Sequence, residues 1–258
     1  MNDTRYAAEY PVRLNELAPD AGVRGWTILN FLQDAAGAHA DRLGLGLRQL
    51  RDHHLIWVLS RIRFRLDAVP SYGDRVRVVT WPSGYDRLFA YRQFRMESAE
   101  TGRLFGVAGS AWLTLDPDDF RPVSPEKHLQ SLPHWTGESD RYFQGETLGK
   151  LRMPEGFEPG TALEHRVSAT EIDYNRHLNN AYYAMLAEDW LGEKTGALMR
   201  MRELQINFNA STPFQEHLSV VGALDDDDRF WVEGTRQATG KNAFQAYGRC
   251  ERIALSEP

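Results

Sequence analysis

The sequence has a single cysteine and no long apolar run. Cys250 stands alone among 258 residues, which excludes an intramolecular disulfide and makes a cysteine-ligated metal site improbable. The apolar runs are too short to cross a bilayer, and Met1 to Tyr10 lacks the apolar core of a signal peptide. These absences predict a cytoplasmic protein that has no membrane span, and we expect neither a metal nor a cofactor.

Neither sign of charge dominates the chain. It carries 30 Lys and Arg against 36 Asp and Glu, a formal net charge of -6. A nucleic-acid-binding protein normally carries a cluster of Lys and Arg residues. The sequence shows no such cluster, so we expect no nucleic-acid partner. The length suits one large domain or two modest ones.

Two predicted helices divide the chain into similar halves. The first has Thr27 as its N-cap and runs from Ile28 to about Leu43, with a stretch of small residues that keeps it thin. The second begins after Asn179 and Asn180 and ends before Gly196. A thin helix can lie close inside a curved sheet.

Each predicted helix is followed by an alternating strand and a bend that contains proline. The apolar positions of the two strands are Ile62, Phe64 and Leu66 in the first half and Leu204, Ile206 and Phe208 in the second. Alternation of this kind predicts half-buried antiparallel strands whose polar side chains face outward.

The repeated order of elements predicts an α+β chain of two domains, each an antiparallel sheet wrapped around a central helix. We place the N-terminal domain at residues 1–120 and the C-terminal domain at 163–258. Residues 121–162 are rich in proline and lack a strong periodicity, which indicates a linker.

The most informative motif lies just before the second helix. Asp173, Asn175 and His177 alternate, so in an extended segment an acid, an amide and an imidazole project to one side. Full extension would hold Asp173 and His177 about 13 Å apart, too far to act on one carbon, so we expect the segment to curl. It would curl into the first amides of the helix, which can receive a developing oxyanion.

An ordered set of motifs resembles the acyl-ACP thioesterase family of plants and bacteria. The second half supplies Asp173, Asn175, His177, Asn179, Asn180, Tyr183 and Glu188. The first half supplies Gln33, Leu55 to Val58 with Arg61, and Tyr72 to Asp74 leading to Thr80 and Trp81. The resemblance covers nearly the whole chain, from about Tyr6 to Arg252.

This resemblance implies a tandem double hot-dog fold and a thioesterase of fatty acid biosynthesis that hydrolyses fatty acyl-ACP to free fatty acid and acyl carrier protein. It carries catalytic roles onto Asp173, Asn175 and His177. Plant members have a Glu-Cys pair where this chain has Asn209 and Ala210. A cysteine nucleophile is therefore missing, and the water-activating base is Asp173 by first choice, with Glu188 second.

Further site residues are expected around this core. We predict that Asn179, Asn180 and Asn209 bind substrate. A second predicted contact is with the acidic carrier protein, through three arginines that share one strand face, Arg61, Arg63 and Arg65.

Several alternatives stay open at the level of sequence. The motif before the second helix is also typical of turns and helix caps. Glu188 fits a solvated position as well as a catalytic one. The three arginines also fit the solvated face of a sheet. An acyl-CoA thioesterase or a non-catalytic acyl-binding protein would fit the same fold. A hydroxyacyl dehydratase fits less well, because its proline-rich histidine motif is missing. The preferred acyl chain, and the choice between monomer and homodimer, are left open.

Overall fold

The computed structural model describes residues 5–127 and 148–254. Two compact units are present. Unit 1 comprises residues 1–13 and 30–149, and unit 2 comprises residues 14–29 and 150–258. Residues 128–147 of the predicted linker lie outside the described residues, and the domain boundaries given above stay a prediction.

Unit 1 is built on an antiparallel sheet with the strand order β1-β3-β4-β5-β2, and β6 pairs with one end of β5. Its strands are β1 (Tyr6–Pro11), β2 (Ile56–Leu66), β3 (Arg75–Tyr85), β4 (Ala90–Ser98), β5 (Leu104–Leu115) and β6 (Pro122–Val123). The side chains of Ile62, Phe64 and Leu66 are buried, as the alternating pattern of β2 predicts.

Helix α1 (Gly25–Arg42) begins in unit 2 and continues into unit 1. In unit 1 the ring of Phe31 stacks on Tyr10 of β1 with centroids 4.8 Å apart, and Leu32 is fully buried. A short helix α2 (Leu47–Asp52) follows. Single 3-10 turns occur at Leu14–Glu16, Pro125–Lys127 and Ala169–Glu171.

Unit 2 contains an antiparallel sheet with the order β7-β9-β10-β11-β8. Its strands are β7 (Leu163–Arg166), β8 (Met199–Phe208), β9 (His217–Leu224), β10 (Arg229–Arg236) and β11 (Asn242–Arg252). Helix α3 (Asn180–Thr195) packs on β8, β9, β10 and β11, and the side chains of Trp190 and Leu191 on this helix are buried.

The two strand orders are the same once each unit is numbered from its own first strand. An equivalent backbone hydrogen bond also joins the ends of equivalent strands in the two units: the amide of Val12 donates to the carbonyl of Asp74 at 3.0 Å, and the amide of Val167 donates to the carbonyl of Glu216 at 2.9 Å. The tandem double hot-dog fold that the family resemblance implies is therefore confirmed.

The ends of the two long helices were predicted correctly for α3 but not for the start of α1. Helix α3 has Asn179 as N-cap and ends at Gly196, which adopts the left-handed conformation with φ 62°, both as predicted. Helix α1 begins at Gly25 instead of after Thr27, so the predicted N-cap is wrong. The hydroxyl of Thr27 instead donates to the carbonyl of Glu16 at 3.4 Å.

One predicted strand face is also wrong. Gln205 and Asn207 of β8 were expected to face solvent, yet only 8% and 2% of their surfaces are exposed. The Gln205 amide donates to Asn207 Oδ1 at 3.0 Å, which partly compensates for their burial. Both faces of this part of β8 are covered.

Within the described residues, no helix is both long enough and apolar enough to cross a bilayer.

Candidate active site

The segment that carries the acid, the amide and the imidazole forms a closed loop, as predicted. The amide of Asp173 donates to the carbonyl of His177 at 2.9 Å, and Ile172 pairs with Leu178 across the loop. Arg176 lies at the tip with φ 67°, a left-handed conformation that non-glycine residues adopt at a cost. The loop brings Asp173 and His177 side by side.

The carboxylate of Asp173 also organises the loop from within. Its Oδ1 accepts the amide of Asn175 at 2.8 Å, and its Oδ2 lies 3.5 Å from the Asn175 side-chain nitrogen. The Asp173 carboxylate and the Asn175 side-chain amide are therefore neighbours in the loop. Asn175 is exposed, whereas Asp173 and His177 are half-buried.

The bend before β9 holds the His177 end of the loop. His177 forms a backbone bridge with Pro213, and the amide of Leu178 donates to the carbonyl of Thr212 at 2.8 Å. The hydroxyl of Tyr183, on the first turn of α3, donates to Thr212 Oγ1 at 2.9 Å. Both side chains are buried.

Thr212 is a site residue that sequence reasoning missed. Its position beside a proline bend reads as ordinary turn chemistry, and only the fold shows that it connects Tyr183 to the loop. Burial raises the pKa of Tyr183 to about 12, and the negative charge of Asp173 adds to the increase, so the phenol stays protonated.

The two asparagines at the start of α3 have different positions. Asn179 is the N-cap, because its side-chain oxygen accepts the amide of Ala181 at 2.8 Å. Asn180 is the first residue of the helix. The positive end of the helix dipole thus lies directly after the loop.

Glu188 lies farther along the same helix. It comes eight positions after Asn180 in α3, about 12 Å along the helix axis. Its Oε1 accepts the amide of Gly25 at 2.9 Å, and its Oε2 lies 3.8 Å from the Arg24 guanidinium. The side chain is 9% exposed, and burial raises the pKa of the carboxyl group to about 7.

Asn209 follows directly after β8 and is exposed. Its side-chain nitrogen donates to Asn242 Oδ1 at 2.7 Å and lies 3.4 Å from Gln245 Oε1. Both of those amides donate in turn to Glu233 Oε2, at 3.2 and 3.1 Å. Asn209 is therefore part of a polar network on the strands of unit 2.

The three arginines of β2 are not equally available. The Arg61 guanidinium donates to the carbonyl of Leu148 and lies over the ring of Phe89, 4.6 Å from its centroid. Burial lowers the pKa of Arg61, although the group keeps its charge. Arg63 is half-buried, whereas Arg65 is exposed and lies 3.6 Å from Asp67.

A possible metal-ligand cluster occurs in unit 1. His54, Asp116 and Asp118 place ligand atoms within 4.8 Å of one another. His54 Nε2 lies 3.0 Å from Asp118 Oδ2, and both side chains are exposed. A hydrogen bond between two exposed side chains accounts for this arrangement.

The loop closed by Asp173 and His177 has a structural duplicate earlier in the chain. Ala18 donates to the carbonyl of Gly22 at 2.8 Å, Leu17 pairs with Val23, and Ala21 at the tip has φ 63°. The duplicate also leads into a helix, α1. Ala18 and Gly22 stand where the later loop has Asp173 and His177, so the backbone closure forms without an acid or an imidazole at those two positions. The acid of the earlier loop is Asp20, whose Oδ1 accepts the amide of Gly22 at 3.1 Å.

Family comparison agrees with the architecture. A sequence model described as Acyl-ACP thioesterase N-terminal domain matches residues 3–130, and one described as Acyl-ACP thioesterase C-terminal domain matches residues 156–244. Together they cover most of the chain.

Curated relatives include two plant proteins. The chain is 26% identical over 189 residues to oleoyl-acyl carrier protein thioesterase 1, chloroplastic, of Arabidopsis thaliana, which covers 69% of the chain and 52% of that protein. It is 23% identical over 193 residues to palmitoyl-acyl carrier protein thioesterase, chloroplastic, of Gossypium hirsutum, covering 69% and 45%. The chain thus spans about half the length of the curated relatives it matches.

Solved structures share the fold over nearly the full chain. The 12:0-ACP thioesterase from Umbellularia californica superposes with a TM-score of 0.79 at 14% identity, covering 98% of this chain and 99% of that one. An acyl-ACP thioesterase from Bacteroides thetaiotaomicron gives 0.75 at 21% identity, covering 96% and 98%. With both domain models matched in order, the chain belongs to the acyl-ACP thioesterase family.

Proposed function

We propose that the protein hydrolyses fatty acyl thioesters of acyl carrier protein and releases free fatty acid, through Asp173, Asn175 and His177. The observation that carries this proposal is the duplicated loop. The same backbone closure forms with Ala18 and Gly22, so it does not require an acid and an imidazole at those two positions. The acid of Asp173 and the imidazole of His177 at these positions support a role in a reaction.

In the proposed reaction Asp173 acts as general base. It accepts a proton from water while the water oxygen attacks the thioester carbon, and the resulting oxyanion is stabilised by the positive end of the α3 dipole. Breakage of the carbon–sulfur bond then releases the phosphopantetheine thiolate. The proton taken up by Asp173 passes through His177 to that sulfur, which restores both residues.

The remaining predicted residues have supporting roles. Asn175 orients the carboxylate that it contacts, Asn179 fixes the start of α3, and Asn180 contributes to the positive helix end. We assign Glu188 as a positioning residue, because its carboxylate is bonded to the Gly25 amide two helical turns away from the loop.

Substrate and carrier contacts complete the proposal. Asn209 is exposed and bonded to the half-buried amide of Asn242, and we propose that it binds a polar part of the substrate. Arg65 is the most exposed of the three β2 arginines and, with Arg63 and Arg61, is proposed to contact the acidic carrier. We propose the cytoplasm as the location of the protein and leave open whether it acts as a monomer or a homodimer.

The direct test compares two carriers that bear the same acyl chain. Purified protein is incubated with dodecanoyl-ACP and with dodecanoyl-CoA, and free dodecanoate is quantified. The proposal expects a higher kcat/KM with the carrier protein. A higher kcat/KM with dodecanoyl-CoA would show that the protein is an acyl-CoA thioesterase instead. Binding of acyl-ACP without release of fatty acid would show that it is a non-catalytic acyl-binding protein.

A further inference from the structure

Unit 1 buries a guanidinium that the proposed reaction does not use. Arg92 lies on β4, whose alternation places it on the same face as Phe94 and Met96, both fully buried. Only 9% of the surface of Arg92 is exposed. The cross-strand neighbour of Arg92 on β5 is Ser110, and that of Phe94 is Ala108, so the surroundings are apolar or uncharged.

The hydrogen-bond partners of this guanidinium are neutral. Arg92 Nη1 lies 2.9 Å from His39 Nδ1 and donates to Thr80 Oγ1 at 3.2 Å. A guanidinium can only donate, so His39 Nδ1 is the acceptor and carries no proton. Thr80 is fully buried.

A counter-charge is missing from the part of the chain that the structure describes. No described carboxylate forms an ion pair with Arg92, and burial alone lowers its pKa to about 10, so the group is still charged at neutral pH. No described residue accepts from its Nε or Nη2. Burying a charge without a counter-charge costs several kcal/mol, and a ligand carboxylate would supply that counter-charge.

A second cation strengthens the positive potential on this side of unit 1. The ring of Tyr6 stacks on His39 with centroids 5.6 Å apart, and the Arg42 guanidinium lies 4.4 Å from the centroid of Tyr6. Arg42, Tyr6, His39 and Arg92 thus form a continuous series of contacts with a cation at each end.

We propose that Arg92 binds the carboxylate of an aliphatic ligand inside unit 1. A guanidinium matches a carboxylate with two parallel hydrogen bonds, and the buried side chains of Phe94, Met96 and Val78 suit an alkyl chain. Two sources share this chemistry: a free fatty acid, and the far end of an ω-carboxyacyl thioester. The choice of an aliphatic chain rests on the proposed function.

Binding is tested with decanoate and 1-decanol, which differ in the carboxylate, by isothermal titration at pH 7. The expected result is about tenfold or tighter binding of decanoate, the ratio that one charge-assisted hydrogen bond provides. Arg92→Met should abolish this preference. Arg95→Met is the matched control, since Arg95 lies on the opposite face of β4, 3.0 Å from Glu97, and should retain the preference.

Equal affinity of the unaltered protein for decanoate and decanol would overturn the proposal, whether or not Arg92→Met folds. A preference that persists in folded Arg92→Met would overturn it as well. The Asp173→Asn variant separates this site from the proposed function, because it should keep decanoate binding after turnover is lost.

Turnover identifies the source of the carboxylate. If the thioester of dodecanedioic acid is hydrolysed about tenfold faster in kcat/KM than the dodecanoyl thioester, and Arg92→Met removes the difference, Arg92 binds the substrate end. If decanoate binds but the two thioesters react alike, the ligand is free fatty acid. Either outcome requires the site at Arg92.

Discussion

The carboxylate of Glu188 accepts a hydrogen bond from the amide of Gly25, the first residue of α1, at 2.9 Å. A glutamate that is distant in sequence therefore occupies the position of a helix N-cap side chain. Negative charge is favourable at the positive end of a helix, yet burial opposes it and raises the pKa of Glu188 to about 7. The contact links the stability of unit 2 to pH.

Glu188→Gln should remove a pH dependence of folding. Because the folded chain holds the Glu188 proton more tightly than the unfolded chain, whose pKa is near 4.5, this stabilisation is complete below pH 4.5. It is lost as the pH rises towards 7, and a shift of this size corresponds to roughly 3 kcal/mol. The free energy of urea unfolding at pH 5, 6, 7 and 8 measures it.

Glu193→Gln is the control for that experiment, because Glu193 lies exposed on the same helix. It should leave the pH profile unchanged. A Glu188→Gln profile that runs parallel to that of the unaltered protein would show that Glu188 does not titrate in this range.

Gly25→Ala and Gly37→Ala should act in opposite directions although both lie in α1. A Cβ at Gly25 would lie 2.9 Å from Glu188 Oε1 and would displace the capping carboxylate, so we expect a loss of about 1 kcal/mol. A Cβ at Gly37 meets nothing within 4 Å, and alanine is the better helix former by roughly 0.5–1 kcal/mol. Unfolding free energies at pH 8 provide the comparison, and equal effects of the two changes would contradict the proposed cap.

Tyr183→Phe should weaken both folding and turnover. It removes the 2.9 Å bond to Thr212 Oγ1, a buried contact whose loss costs about 1–2 kcal/mol, and it frees the bend that holds His177. Tyr182→Phe is the matched control, because its 3.4 Å contact with the carbonyl of Thr170 is exposed. Thermal unfolding and kcat are measured for both, and a normal kcat in Tyr183→Phe would show that the bend does not position the loop.

Cys250 should not react with thiol reagents in the folded protein. Its side chain is buried, its Sγ lies 3.5 Å from the carbonyl of Asp228, and burial raises the pKa of the thiol to about 12. At pH 8, labelling by a maleimide should occur only after urea is added. Rapid labelling of the native chain would indicate that β11 opens easily.

Sequence patterns predicted the structure correctly where neighbouring residues determine it. The alternation of Ile62, Phe64 and Leu66 predicts strand β2 because each side chain's direction follows from its position. The same reasoning predicts the curl of the loop, since an acid and an imidazole four residues apart cannot meet in an extended chain.

The same patterns failed where the cause lies elsewhere in the chain. Thr27 looks like an N-cap, but α1 begins at Gly25 because Glu188 supplies the capping oxygen from α3. Gln205 and Asn207 look like solvent-facing residues, but β8 is covered on both faces, which a local alternation cannot reveal. The role of Thr212 depends likewise on a contact with Tyr183 on another element.

Asp173→Asn should remove the proposed general base without changing the backbone of the loop that carries it. The asparagine oxygen can still accept the amide of Asn175, now 2.8 Å from Asp173 Oδ1, so the loop should keep its closure and the unfolding free energy should change by less than about 0.5 kcal/mol. The side chain can no longer accept a proton from water.

The most direct measurement is therefore the kcat of Asp173→Asn for release of fatty acid from dodecanoyl-ACP, at unchanged thermal stability. Our account predicts a decrease of about 10²–10⁴-fold, the usual contribution of a general base. A folded Asp173→Asn variant that hydrolyses the thioester at the rate of the unaltered protein would contradict it.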